Sequence, residues 1–144
     1  MTQQIEKPGE EDWARIEAQR KWVRGHFTPE AQHKYSDVQE KLRLLQTILD
    51  AGWIERHETV KLQCLGITFG DALAQEVGME WVVVSEGHER DPALRYPGTT
   101  VILFPLTMIS KRIERGETVV VSELFTGMID LVREMARDPE YQRH

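Results

Sequence analysis

Arg95-Tyr96, followed at once by Pro97-Gly98, is the grouping in this chain best suited to hold an anion. A guanidinium fork matches a carboxylate or phosphate in bidentate fashion, the neighbouring ring gives a flat wall, and a proline-glycine pair fixes the backbone in a turn. Lys111, Arg112 and Arg115 add positive charge on the next helical pattern, so Arg95, Tyr96, Lys111 and Arg112 form the expected ligand-binding set. The same residues also have a structural reading. With 24 acidic residues in the chain, Arg95 readily finds an ion-pair partner, Tyr96 packs its ring and Gly98 supplies a permissive turn angle. The structural reading is the favoured one.

A second grouping, Glu86, His88, Glu89 and Asp91, crowds one charged turn with side chains that a divalent metal accepts. One histidine among scattered carboxylates lacks a fixed ligand spacing, however, and such groups at a hairpin tip stay solvated, so no metal and no cofactor is assigned. Ser85, Ser110 and Ser122 lack the tight glycine elbow of an activated nucleophile. Gly66 and Gly70 are followed by neither a lysine-serine pair nor a third spaced glycine, which excludes a phosphate-cradling loop. Cys64 has only Lys61 as a nearby cation and reads as a small buried hydrophobe. Trp53, Trp81 and Tyr96 could flank a ligand, but large aromatics in apolar surroundings are expected in the core. His26, His33 and His57 read as surface residues, and no catalytic residue is assigned.

These groups must be positioned by a single domain, since 144 residues bury roughly two-thirds of the surface their unfolded chain exposes. Hydrophobic and charged contents of 40% and 29% describe a folded chain, and a net charge of -6 opposes a nucleic-acid binder that must displace counterions. One cysteine excludes an internal disulfide and favours a reducing compartment. The polar, acidic run Thr2 to Asp12 has no signal pattern, and no apolar stretch is long enough to cross a membrane, so a cytoplasmic location is expected.

Trp13, Ile16, Trp22 and Val23 place a helix over Glu10 to about Gly25. Ser36 and Gln39 form a capping-box pattern before Val38, Leu42, Leu45, Ile48 and Leu49, giving a second helix that ends near Asp50 to Gly52. A third series, Val60, Leu62, Leu65, Phe69, Leu73 and Val77, stops at Gly78. Gly66 and Gly70 share one face of that helix and imply close packing against a neighbouring backbone; the competing reading is a break, with Asp71 capping a shorter helix. Trp81 to Val84 is a strand, Glu86 to Pro92 a charged turn, and Thr99 to Phe104 a second, antiparallel strand, with Ala93 to Tyr96 available as a third. Pro105 ends the strand or opens the next helix, which carries Ile109 and Ile113 and closes at Gly116. After an extended run, Val119 to Val121, Ser122 is expected to cap a last helix with Leu124, Phe125, Met128, Val132 and Met135 inward. The fold class is therefore α+β: a small antiparallel sheet of two to three strands packed with about five helices. Residues 1–9 form a flexible N-terminus and residues 10–144 one domain.

Leu65-Gly66, Gly70, Glu80-Trp81, Arg95-Tyr96-Pro97-Gly98 and Ser110-Lys111-Arg112 together resemble a bacterial domain of unknown function found in short, soluble proteins. The resemblance spans about the last two-thirds of the chain. It implies a bacterial source and a compact domain, and carries no activity.

Two function classes follow. The leading one is a non-enzymatic protein-interaction or regulatory module with a protein partner and with neither nucleic acid nor membrane involved; a homodimer through the long helices is compatible with either class. The alternative is a small-ligand binder or enzyme acting on an anionic molecule, with Arg95 and Lys111 or Arg112 holding the anion, Tyr96 orienting it and His88 or Glu86 moving a proton. Arg95 locked in an internal ion pair would count against that alternative.

Overall fold

Helical periodicity and β-branched runs become, in the computed structural model, an ordered series that describes residues 3–142. The order is β1 (Gln4–Glu6), α1 (Glu10–Arg24), a 3-10 helix (Pro29–Ser36), α2 (Val38–Asp50), α3 (Thr59–Val77), β2 (Glu80–Glu86), β3 (Glu89–Arg95), β4 (Ile102–Leu103), α4 (Met108–Glu114) and α5 (Val121–Arg137). Short 3-10 turns lie at Pro105–Thr107 and Pro139–Tyr141. The α+β class holds, but the expected two to three strands and about five helices become, among the described residues, four strands and six helices of more than one turn. None of these helices is long and apolar enough to cross a membrane.

The sheet is antiparallel throughout, in the order β1-β2-β3-β4. Its extra strand comes from the segment expected to be flexible: Ile5 pairs with Val84, and the Ser85 hydroxyl donates to the Glu6 carboxylate at 2.8 Å. One isoleucine in three residues carries too little pattern to read as a strand; β2 supplies the template whose free amides and carbonyls it satisfies. The charged turn is also shorter than expected. Glu86 pairs with Glu89, so only Gly87 and His88 make the turn, and Gly87 takes φ +63° in the glycine-first arrangement that two-residue hairpins favour.

The strand expected over Thr99 to Phe104 shrinks to Ile102–Leu103. Thr99 turns back on Tyr96, whose carbonyl accepts from both its amide (3.2 Å) and its hydroxyl (2.8 Å). At the other end, the register Leu94 to Leu103 and Arg95 to Ile102 would next but one oppose Pro92 and Pro105. Neither proline has an amide hydrogen, so the ladder stops and the chain leaves the sheet.

α3 runs unbroken beneath the sheet, with Leu62, Leu65, Phe69 and Leu73 fully buried. Its two glycines are there for space. A Cβ on Gly66 would stand 2.5 Å from the Pro105 carbonyl oxygen and closer still to that of Leu106, and one on Gly70 would stand 2.6 Å from the Trp81 ring. Asp71 lies inside the helix and caps nothing. Around α3, the main core gathers Leu45, Ile48, Leu94, Ile109 and Val132, with the Phe69 and Phe125 rings edge to face at 5.9 Å.

Two helix starts differ from expectation. Asp37, not Ser36, caps α2, accepting from the Glu40 amide at 2.9 Å, while the Ser36 hydroxyl donates back to the His33 carbonyl. Ser122 sits inside α5; the Val121 amide is instead satisfied by the Gln46 side chain of α2 at 2.7 Å, so Val119 to Val121 forms no strand. Trp53, expected in the core, is 58% exposed and stacks on His26 with ring centroids 6.1 Å apart. Trp13 is likewise 42% exposed, and Ile16 and Val23 alone bury α1 deeply on its apolar side.

Candidate functional site

Arg95, at the end of β3, lies opposite Glu80 in the register and donates from Nε (3.1 Å) and Nη2 (2.7 Å) to Glu80 Oε1. Tyr96 packs half-buried against the main core, and Gly98 supplies the left-handed turn angle, φ +78°. Arg112 Nη1 donates to the Met108 carbonyl at 2.8 Å. Of the four residues in the expected anion set, Lys111 alone lines a cavity with an unengaged charge, and the four do not converge on one pocket. Arg95 is thus engaged by Glu80, and Tyr96 by the core.

The cavity that Lys111 lines is a cleft of about 260 Å³ walled by Asp91, Pro92, Phe104, Leu106 and Thr107. It exists because the chain beyond β4 leaves β3 where the two prolines would face each other. One wall belongs to β3; the other is the Phe104 to Thr107 connection into α4. That second wall rests on α3 at Gly66, where the missing Cβ lets the Pro105 and Leu106 carbonyls settle on the helix. The Asp91 carboxylate and the Lys111 amine make no hydrogen bond or ion pair with any described residue, and Phe104 is 41% exposed.

Beside the cleft lies the face of the sheet opposite to Trp81 and Leu94, where the apolar side chains of β2 and β3 are again buried. Val82, Val84 and Ala93 form a small apolar cluster there, separate from the main core, with Ile102 packed against it. Ile5, cross-strand from Val84 and 45% exposed, extends this strip at one side. The hairpin carrying Glu86, His88 and Glu89 projects beyond it, and the described residues contain no group of three or more His, Cys, Asp or Glu able to hold a metal ion.

Sequence reasoning missed the most elaborate polar constellation, which lies on the opposite side of the sheet. Asp71 Oδ2 accepts from Arg20 Nε (2.6 Å) and from the Tyr35 hydroxyl (2.7 Å); its Oδ1 accepts from Arg20 Nη2 (2.8 Å) and from the Trp81 indole (3.0 Å). Because the one Tyr35 proton goes to Asp71, the buried Thr68 hydroxyl must donate to Tyr35, at 3.0 Å. Burial, and then the adjacent Asp71 carboxylate, hold the Tyr35 phenol well above its ordinary pKa. Lys41, also buried, donates to Gln75 at 2.6 Å and sits 5.0 Å above the Tyr35 ring; burial lowers its pKa. The available signal was Asp71 itself, the one charge in the run from Leu62 to Gln75.

Every acceptor on Asp71 is engaged and the side chain is only 11% exposed, so this constellation ties α1 and the Pro29–Ser36 helix to α3 and β2 and leaves no group free for a substrate. Cys64 is buried as expected, and burial pushes its thiol pKa up, away from reactivity.

A family model described as Domain of unknown function (DUF3806) matches residues 41–125, a span that contains every residue on which the resemblance rests. A crystal structure of a protein from Bacteroides thetaiotaomicron VPI-5482, at 1.50 Å resolution, is 21% identical with a TM-score of 0.72. The alignment covers 90% of this chain and 48% of that one, so the chain spans about half the length of that protein, and the likeness is one of fold alone. No curated relative matches the chain.

Proposed function

The chain belongs to the DUF3806 family of domains of unknown function, and on that footing we propose that it is a non-enzymatic protein-interaction module of the bacterial cytoplasm. The observation that carries this reading is the pair of exposed apolar side chains, Ile5 and Phe104, at the border of the second, itself buried, apolar cluster of Val82, Val84 and Ala93. Ile5 and Phe104 border it from two sides, 45% and 41% exposed. A partner laying an apolar segment across the strip would remove both from water. The lone, reduced Cys64 supports an intracellular setting.

The test uses the full chain and a double variant, Ile5→Lys with Phe104→Asp, both at exposed positions that leave the main core intact. Each is immobilised and exposed to cell lysate, and size-exclusion chromatography with light scattering is run on each alone. One stoichiometric partner held by the parent and lost by the variant is the expected result; a parent dimer that the variant dissolves would identify the partner as a second copy. A partner retained equally by both, or none for either with both monomeric, overturns the reading.

A further inference from the structure

The cleft beside that strip has a composition of its own. Its carboxylate and its amine have opposite signs, and neither is neutralised by the other or by any described residue, whereas Arg20, Arg90 and Arg95 are each held by a carboxylate. Pro92, Phe104 and Leu106 supply apolar wall to the same cleft, and the Thr107 hydroxyl offers one donor and an acceptor. From this juxtaposition we infer that the cleft binds a small zwitterion: a molecule with an ammonium and a carboxylate on a short apolar body, of which the apolar amino acids are the simplest members.

Three physical points carry the assignment. Lys111 attracts the ligand's carboxylate and Asp91 its ammonium, while each repels a ligand bearing only the other sign; a bare phosphate or a plain amine therefore meets a repulsive group. A volume of about 260 Å³ suits a body of amino-acid size rather than a nucleotide. The walls are also set before binding. Pro92 and Pro105 end the β3–β4 ladder, so the chain beyond β4 leaves β3, and the seat of Pro105–Leu106 on Gly66 fixes the wall carrying Leu106 and Thr107, so little ordering cost remains for a ligand to meet. This site is independent of the interaction reading, because a monomeric protein with no partner would still contain it.

The experiment is an amide-resolved NMR titration of the full chain with L-leucine, L-phenylalanine and β-alanine, alongside 4-methylpentanoate, 3-methylbutylamine and inorganic phosphate. The expected result is saturable shifts around residues 91–93 and 104–111 with the two apolar amino acids. The single-charge analogues should bind about tenfold or more weakly, one good charge-assisted contact being lost in each. Lys111→Gln and Asp91→Asn, at positions whose side chains hold nothing else in place, should each weaken amino-acid binding by about the same factor. No saturable shift with any of the three zwitterions, equal binding of 4-methylpentanoate or phosphate, or unchanged binding in a variant that combines Lys111→Gln with Asp91→Asn overturns the assignment.

Discussion

The two sides of the sheet are built on opposite terms. On the helix side, Asp71 gathers Arg20, Tyr35 and Trp81 around one carboxylate, and Gly66 and Gly70 let neighbouring backbone and ring come into direct contact. On the outer side, the Ile5 and Phe104 side chains and an unpaired acid and amine stand open. Satisfied buried polar groups are costly to disturb and have nothing left to offer a ligand, whereas unengaged groups at a surface contribute little to the fold and are free to bind. Architecture and function are therefore to be sought on different faces.

The largest effect should come from Asp71→Ala. It leaves a largely buried guanidinium, a phenol and an indole without their acceptor and should cost about 3 kcal/mol in urea unfolding. A loss below that of an ordinary surface change would break the contrast. Next comes Gly66→Ala, where the clash with the Pro105 and Leu106 carbonyls should outweigh the better helix propensity and destabilise by about 2 kcal/mol. Gly127→Ala in α5, where a Cβ meets open space, should by contrast stabilise by about 0.5 kcal/mol, and unfolding midpoints for the pair give the sign of each.

Asp12 sharpens the comparison at the edge between the faces. Its carboxylate caps α1 through the Gly9 amide and is held by Arg90, whose hydrogen bond chiefly lowers its pKa below 3.8. A depressed carboxylate stabilises the fold above its unfolded pKa, and that contribution fades as pH falls through the folded value. Asp12→Asn should therefore lower the unfolding midpoint at pH 7, on the order of 1 kcal/mol, and the gap from the parent should close below about pH 3.8. A gap that persists unchanged in acid would assign the effect to packing. Smallest of all, Lys111→Gln and Asp91→Asn should shift stability by less than about 0.5 kcal/mol by thermal melting, since neither side chain holds another.

Much of the frame was legible locally. The unbroken α3, its end at Gly78 and the β2 strand follow from spacing and a β-branched run, and the two glycines on one face announced a close approach before its partner was known. The caps show where local reading fails. Ser36 and Ser122 have the right residue type at about the right place, yet Asp37 is better aligned at one helix, and a glutamine from another helix serves the other. Arg95 illustrates the same limit at the expected anion site. Its chemistry was read correctly as a carboxylate fork, but only the register of β2 with β3 could show that the carboxylate is Glu80.

By itself the sequence determined the α+β class, the central helix and the exclusion of familiar catalytic motifs, because these depend on residue type and on periodicities of two and 3.6 residues. The tertiary structure decided the β1 strand, the Arg20 to Asp71 tie across 51 positions and the cleft between Asp91 and Lys111. Each of those requires distant segments brought together, and which distant groups meet is set by packing over the whole chain rather than by any local pattern.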